Sequence, residues 1–123
     1  MNIGFSNRMK EVFNYVREEV LRLGDDSIGV EHLFLGILRE GNGVAIKVLN
    51  ELGLKSNEIR KILEDKLPKK NLNDIRKKEN IDFKRQAERI LKKAIMERKN
   101  LDSNEIKTIH VLLAILLDND IVV

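Results

Sequence analysis

The chain has two histidines and no cysteine among its 123 residues, so few of its side chains could do acid–base or metal chemistry. His32 and His110 each fall near the start of a predicted helix. A structural metal site needs three or four converging ligands, which two histidines without thiolates do not supply. Neither histidine has a serine placed by a catalytic motif, so a Ser-His-Asp arrangement is not indicated. We predict that both are structural side chains in a helix's first turn.

The sequence offers no support for nucleotide hydrolysis. The phosphate-binding pattern G-x-x-x-x-G-K-[ST] is absent, and no glycine is followed by lysine anywhere in the chain. No acid and base are paired for another reaction either. We predict that the chain is not itself an enzyme and carries no cofactor of its own.

Charged residues make up 35% of the chain, and their signs interleave to a net charge of +3. A nucleic-acid surface usually needs a stripe of one sign, often with aromatic residues for stacking, and this chain has four Phe and one Tyr. These features argue against nucleic-acid binding. The alternative is a small helical regulator that uses the basic segment Lys69–Lys78 as an arm, which salt-dependent binding to duplex DNA would support.

The sequence gives no sign of membrane contact or export. The longest strongly apolar stretch, His110–Leu117, is far too short to span a bilayer. Met1–Phe5 lacks the basic and apolar parts of a secretory signal. The absence of cysteine fits a reducing compartment. We expect a cytoplasmic protein.

Apolar residues recur at spacings of three and four along most of the chain, which predicts helices. The first helix follows Phe5, with Ser6 as its cap and Gly24 as the residue that ends it. Three further helices are predicted, at about Val30–Glu40, Val44–Leu52 and Ser56–Leu67, the last capped by Ser56 and stopped by Pro68. The predicted fold class is all-α, and Met9 and Met96, at helical spacing, are predicted to lie in the core.

The chain repeats itself at a constant offset of 78 residues. Positions that coincide without a gap include Phe5 and Phe83, Val12 and Ile90, Glu19 and Glu97, Ile28 and Ile106, His32 and His110, and Leu38 and Leu116. Two helices and the loop between them therefore occur twice. We predict a pseudo-twofold bundle with repeat one at 5–67, a polar linker at 68–81 and a partial, truncated repeat two at 82–123.

Two small residues, Gly36 and Ala114, occupy equivalent positions in the two most apolar helices. A larger side chain would clash if these helices approached closely, so we predict that they pack against each other. Repeat two stops at Ile121-Val122-Val123, where repeat one begins a third helix. We expect a fragment of a longer protein, with some apolar surface left uncovered.

Three segments of the first repeat form a recognisable pattern. They are Phe5-Ser6-Asn7-Arg8, Glu18-Glu19-Val20-Leu21-Arg22-Leu23-Gly24, and the run from Ile28-Gly29-Val30-Glu31-His32 to Arg39-Glu40-Gly41-Asn42-Gly43-Val44-Ala45. This pattern closely resembles the Clp N-terminal repeat, and within it the ClpC branch, which reads Gly-Thr-Glu-His, an apolar run and Arg-Glu-Gly. The likeness covers residues 5–67 strongly and 82–117 more loosely.

The resemblance implies a recognition module of two four-helix repeats at the head of a Clp-type, ATP-driven unfoldase that forms a hexameric ring. Such a parent protein holds ATP and Mg in its ATPase domains and feeds a ClpP-like peptidase. The implied partners of the module are protein substrates and adaptor proteins similar to MecA. The alternative is a stand-alone regulatory or scaffold protein of the same fold without an ATPase, and the reading frame beyond Val123 separates the two.

Glu31 and Ser6 are the binding residues that the resemblance implies. In relatives, the glutamate of Gly-Thr-Glu-His can help to hold a phosphorylated arginine, which marks proteins for degradation. A carboxylate suits the guanidinium group, and the phosphoryl group suits a helix start such as that at Ser6. From its position alone, Glu31 would instead stabilise the first turn of its own helix.

Three departures from the family pattern weaken this implied site. Val30 replaces the threonine before the glutamate, so a helix cap is lost. In repeat two, Ile109 replaces the glutamate, and Lys84 stands at the position of Ser6. We therefore expect one phosphoarginine site rather than two, with reduced affinity.

Overall fold

The computed structural model describes residues 4–67, 81–101 and 103–118, and these are almost entirely helical. The helices are α1 (Asn7–Arg22), α2 (Val30–Glu40), α3 (Val44–Glu51), α4 (Ser56–Lys66), α5 (Arg85–Asn100) and α6 (Thr108–Leu116). Two-residue strands, β1 (Ser27–Ile28) and β2 (Asp82–Phe83), precede α2 and α5. The all-α prediction is confirmed. The predicted linker, apart from Ile81, and the basic segment Lys69–Lys78 lie outside the described residues, so the repeat boundaries stay a prediction.

The helix ends follow the sequence signals with one exception. Ser6 caps α1, because its Oγ accepts a hydrogen bond from the N–H of Met9 at 3.1 Å. Gly24 adopts the left-handed conformation, with φ 71°, directly after α1. The prediction that Ser56 caps α4 is wrong. Lys55 is the N-cap, and its carbonyl accepts the first hydrogen bonds of the helix, so Ser56 already has helical backbone geometry.

The short strands provide a direct structural sign of the internal repeat. Ile28 pairs with Phe83 in the parallel β1–β2 contact, and Phe5 forms a parallel bridge with Ile106. A shift of 78 residues converts one pair into the other, with the roles of the two repeats exchanged. The predicted pseudo-twofold arrangement therefore extends to the backbone pairing.

The core lies inside each repeat and continues across the seam between them. Helix α1 packs mainly on α2, and α5 packs mainly on α6. At the seam, the ring of Phe13 meets Phe5 edge-on at 4.9 Å between centroids and Phe83 at 6.2 Å. Aromatic pairs favour such T-shaped contacts, so the three rings join the two helix pairs into one core.

The small residue in α2 serves a contact within its own repeat. A Cβ added at Gly36 would lie 2.4 Å from Cγ2 of Val16 and 3.1 Å from the carbonyl oxygen of Val12, both on α1. The predicted reason, close approach of α2 to α6, is therefore wrong. In repeat two the equivalent positions carry Ala114 and Ala94, so a larger residue on one helix is matched by a smaller one on the other.

Burial also differs between equivalent or similar residues. Met9 is fully buried, as predicted, but Met96 is 66% exposed, so its predicted place in the core is wrong. Met96 lies two residues after the buried Ala94, which places it on the opposite side of α5. Leu38 is 5% exposed, whereas its equivalent, Leu116, is 45% exposed. The expected uncovered apolar surface is therefore present on α6.

Candidate functional site at the junction between the repeats

Helix starts from the two repeats meet in pairs at the junction. The N–H of Ser6 donates to the carbonyl oxygen of Ile106 at 2.9 Å, which holds the start of α1 beside the start of α6. The equivalent bond, from the N–H of Lys84 to the carbonyl oxygen of Ile28 at 2.8 Å, holds the start of α5 beside that of α2. Helix starts carry partial positive charge and N–H groups without intrahelical partners. The junction therefore contains two related places that favour negative groups.

Ser6 lies at the α1–α6 pair of helix starts. Its side chain is 9% exposed and its Oγ serves as the α1 cap. It lines a cavity of about 210 Å³ together with Arg8, Val44, Lys107, Thr108 and Ile109. The residue at the position equivalent to Glu31 in this pair is Ile109, so the cavity wall is apolar where a carboxylate was expected.

Glu31 lies at the other pair of helix starts, in the partly buried first turn of α2. Its Oε2 approaches Gly29 so closely that an added Cβ there would lie 3.0 Å away, and the Cδ of Lys84 would lie 3.5 Å from the same Cβ. Glu31 therefore faces the start of α5, where Lys84 takes the place of Ser6. The structure does not bring Glu31 and Ser6 to the same pair of helix starts.

An acidic group accompanies Lys84 at the α2–α5 pair. Its Nζ lies 3.6 Å from Oδ2 of Asp25, whose side chain is 5% exposed. The same oxygen lies 3.5 Å from Nε2 of His32, without hydrogen-bonding geometry. Lys84 was not singled out as a binding residue from the sequence. The signal that could have found it is its N-cap position, equivalent to Ser6 in the repeat.

The two histidines have the structural role that was predicted for them. Nδ1 of His32 accepts a hydrogen bond from the N–H of Gly29 at 2.9 Å, and Nδ1 of His110 accepts one from Lys107 at 2.8 Å. Each imidazole thereby binds the N-cap N–H of its own helix, as Glu or Gln does in a capping box. This explains how α2 begins without the threonine that Val30 replaces.

Both histidines are held in the neutral form. Burial lowers the pKa of His32 below its ordinary value, and the charge of nearby Asp25 offsets this in part. Burial also lowers the pKa of His110, and the positive charges of Lys107 and Arg98 act in the same direction. A neutral ring leaves Nδ1 free of a proton, which is the form that can accept the N-cap hydrogen bond.

Within residues 4–67, 81–101 and 103–118, no group of three or more His, Asp or Glu side chains is placed to hold a metal ion. None of the helices in this part of the chain is long and apolar enough to cross a membrane.

The chain matches a family model described as the Clp repeat (R) N-terminal domain over residues 4–123. It is 32% identical over 116 residues to the negative regulator of genetic competence ClpC/MecB of Bacillus subtilis, covering 94% of this chain and 14% of that protein. It is 30% identical over 118 residues to the chaperone protein ClpB of Oceanobacillus iheyensis, with the same two shares. The chain thus spans a small part of the length of these relatives.

Solved structures share the fold. The N-terminal domain of the chaperone ClpD from Arabidopsis thaliana matches with a TM-score of 0.71 at 16% identity, over 94% of this chain and 77% of that one. The N-domain of ClpV from Vibrio cholerae matches with a TM-score of 0.78 at 15% identity, over 91% and 66% of the two chains. These are helical domains without a catalytic role. The family predicted from the sequence is confirmed, and the chain belongs to the Clp repeat N-terminal domain family.

Proposed function

We propose that this chain is the substrate- and adaptor-recognition domain of an ATP-dependent Clp unfoldase that serves as the regulatory subunit of a Clp protease. The family match and the ClpC and ClpB relatives support this proposal. The rest of the parent protein would supply ATP and Mg binding, a hexameric ring and the contact with a ClpP-like peptidase. The domain itself would bind MecA-like adaptors and protein substrates.

The observation that carries the proposal is the pairing of helix starts at the junction between the repeats. Two pairs of N-termini, joined by the bonds from Ser6 and Lys84, present N–H groups and positive partial charge on one molecule. Such groups bind the anionic parts of peptides without any catalytic side chain. Binding is therefore the activity that this arrangement supports.

We also propose phosphorylated arginine as a ligand of the α2–α5 pair. The Glu31 carboxylate would take the guanidinium group, for which a paired geometry is favourable. The phosphoryl group would lie at the start of α5, close to the ammonium group of Lys84. At the α1–α6 pair, Ile109 cannot pair with a guanidinium, which supports one such site in the chain rather than two.

Calorimetric titration with an arginine-phosphorylated peptide tests this role of Glu31. The Glu31→Ala variant is expected to bind at least about tenfold more weakly, because a charge-assisted hydrogen bond contributes roughly 1.5–3 kcal/mol. Glu58→Ala is the matched control, since Glu58 also lies in the first turn of a helix but on α4, and it should bind as the parent chain does.

Equal affinity of the Glu31→Ala and Glu58→Ala variants for the phosphorylated peptide would remove Glu31 from the site. A parallel titration with a MecA-like adaptor addresses the broader proposal. If neither the adaptor nor the peptide binds this chain, nor a chain extended through the rest of the second repeat, the recognition function is wrong.

A further inference from the structure

The cavity at the α1–α6 pair is large enough for one side chain. Its volume is about 210 Å³, below the roughly 300–1,000 Å³ typical of pockets for drug-sized molecules. Its walls come from both repeats: Ser6 and Arg8 from α1, Val44 from α3, and Lys107, Thr108 and Ile109 from α6 and its N-cap. It therefore opens only where the two repeats meet in the folded chain.

Two cationic side chains give this cavity a positive character. Arg8 is half exposed and its Nε lies 3.1 Å from Oε1 of Glu40. Its guanidinium lies against Gly43, where an added Cβ would come 2.7 Å from Nη1. An arginine has five N–H donors, so the bond to Glu40 leaves donors for an anion. Lys107 contributes the second cation from the opposite repeat.

The hydroxyl-bearing and helix-terminal groups reinforce this character. Thr108 is the first residue of α6, is 3% exposed and lines the cavity. The starts of α1 and α6 lie side by side here through the bond from Ser6 to Ile106. An oxyanion at this place would face two cations and two helix starts, which all favour negative charge.

The remaining walls are aliphatic. Val44 is 55% exposed at the start of α3, and the partly buried Ile109 stands where the equivalent position carries Glu31. A guanidinium or ammonium group would find Arg8 and Lys107 here, and the carboxylate of Glu40 is already paired with Arg8. A positively charged side chain is therefore disfavoured, and an aliphatic one is accommodated.

We propose that this cavity binds a peptide at an anionic residue that follows an aliphatic one, with the oxyanion between Arg8 and Lys107 and the aliphatic side chain against Val44 and Ile109. This assignment rests on the proposed function, because it treats the junction as a recognition surface. It gives the two pairs of helix starts different ligands: phosphoarginine at Glu31, and an acidic or phosphorylated residue at Ile109.

The test is an NMR titration of the isotope-labelled 123-residue chain with four capped tetrapeptides. These are Ala-Leu-Asp-Ala, its phosphoserine analogue, the neutral Ala-Leu-Asn-Ala and the cationic Ala-Leu-Arg-Ala. The two anionic peptides should bind at least about fivefold more tightly than the neutral one, as expected for charged hydrogen bonds. The amide signals of residues 6–8 and 107–109 should shift. Tighter binding of the phosphoserine peptide would assign the oxyanion to a modified residue, and comparable binding would assign it to an ordinary acidic one.

Three variants make the test specific. Lys107→Gln should weaken the anionic peptides at least about fivefold. Ile109→Glu should weaken them more strongly and improve binding of the arginine peptide, while a glutamate in the first turn keeps α6 stable. Lys61→Gln, which changes an exposed lysine on α4 away from the cavity, should bind all four peptides as the parent chain does.

The assignment is overturned if the neutral peptide binds as tightly as the anionic ones, if the shifted signals lie elsewhere, or if Ile109→Glu leaves the preference unchanged. None of these results would affect the Glu31 titration or the adaptor titration, so the recognition function could stand without this cavity.

Discussion

At the scale of single residues, His32 and His110 link helix formation to protonation. Each ring accepts the N–H of its helix N-cap through Nδ1. Protonation would place a hydrogen on that nitrogen and replace the hydrogen bond with two donors facing each other. The burial that lowers both pKa values and the hydrogen bond therefore require the same neutral state.

Stability is therefore expected to decrease as pH falls. The unfolded histidines have pKa values of about 6.5, and the folded values are lower. The unfolded state then takes up protons more readily, so the full contribution is present above pH 6.5 and is lost as pH falls through the folded pKa values. Urea unfolding at several pH values between 8 and 5 measures the loss.

The double variant His32→Gln, His110→Gln separates this effect from the titration of carboxylates. Glutamine can accept the N-cap hydrogen bond but does not titrate. The variant should lose less free energy of unfolding between pH 7 and 5 than the parent chain. An identical dependence on pH in the two proteins would show that the histidines do not link protonation to stability.

Residue roles were predictable where they depend on neighbours along the chain. The cap formed by Ser6 and the helix-start roles of the histidines follow from positions three residues apart, and both are present. The separation of Glu31 from Ser6 was not predictable, because it depends on which helix starts meet across the repeats. The exposure of Met96 shows that spacing identifies a helix face only when the whole pattern is counted.

At the scale of elements, the starts of α1 and α5 have the same geometry but different caps. Ser6 has φ −61° and ψ 159°, and Lys84 has φ −66° and ψ 153°. Ser6 accepts the N–H of Met9, whereas the side chain of Lys84 makes no capping hydrogen bond. Helix α5 therefore begins without a cap that its backbone is already shaped to use.

Replacing Lys84 with serine is expected to stabilise the protein. A serine cap contributes about 1 kcal/mol relative to alanine. The Lys84→Ala variant is the control, because both substitutions remove the contact between Lys84 and Asp25. Thermal and urea unfolding should find Lys84→Ser more stable than Lys84→Ala by about 1 kcal/mol, and Ser6→Ala less stable than the parent chain by a similar amount. Equal stability of the two Lys84 variants would mean that α5 cannot use a serine cap.

Helix bounds were predictable from apolar periodicity, but the strands were not. Helix α2 has the predicted ends, Val30 and Glu40, because Gly29 and Gly41 bound a continuous apolar pattern. Strands β1 and β2 have two residues each, too few to produce an alternating pattern. They form because the repeats bring two extended segments together, which is a property of the tertiary structure.

At the scale of the whole molecule, the internal repeat determines where binding groups meet. The offset of 78 residues predicted which residues are equivalent, and the backbone pairs of Ile28 with Phe83 and Phe5 with Ile106 agree with it. Equivalence does not state which elements touch. The contact of Gly36 with Val16, instead of with α6, shows this limit of the sequence argument.

The central claim is that the junction between the repeats is the surface that binds proteins. Hydrogen–deuterium exchange of the chain, with and without a permanently unfolded protein such as reduced, carboxymethylated lactalbumin, tests it most directly. We predict slower exchange at 5–8, 28–31, 83–86 and 106–109 in the presence of the unfolded protein, and unchanged exchange in α4. Protection confined to α4 or to other surfaces away from these four segments would contradict the claim.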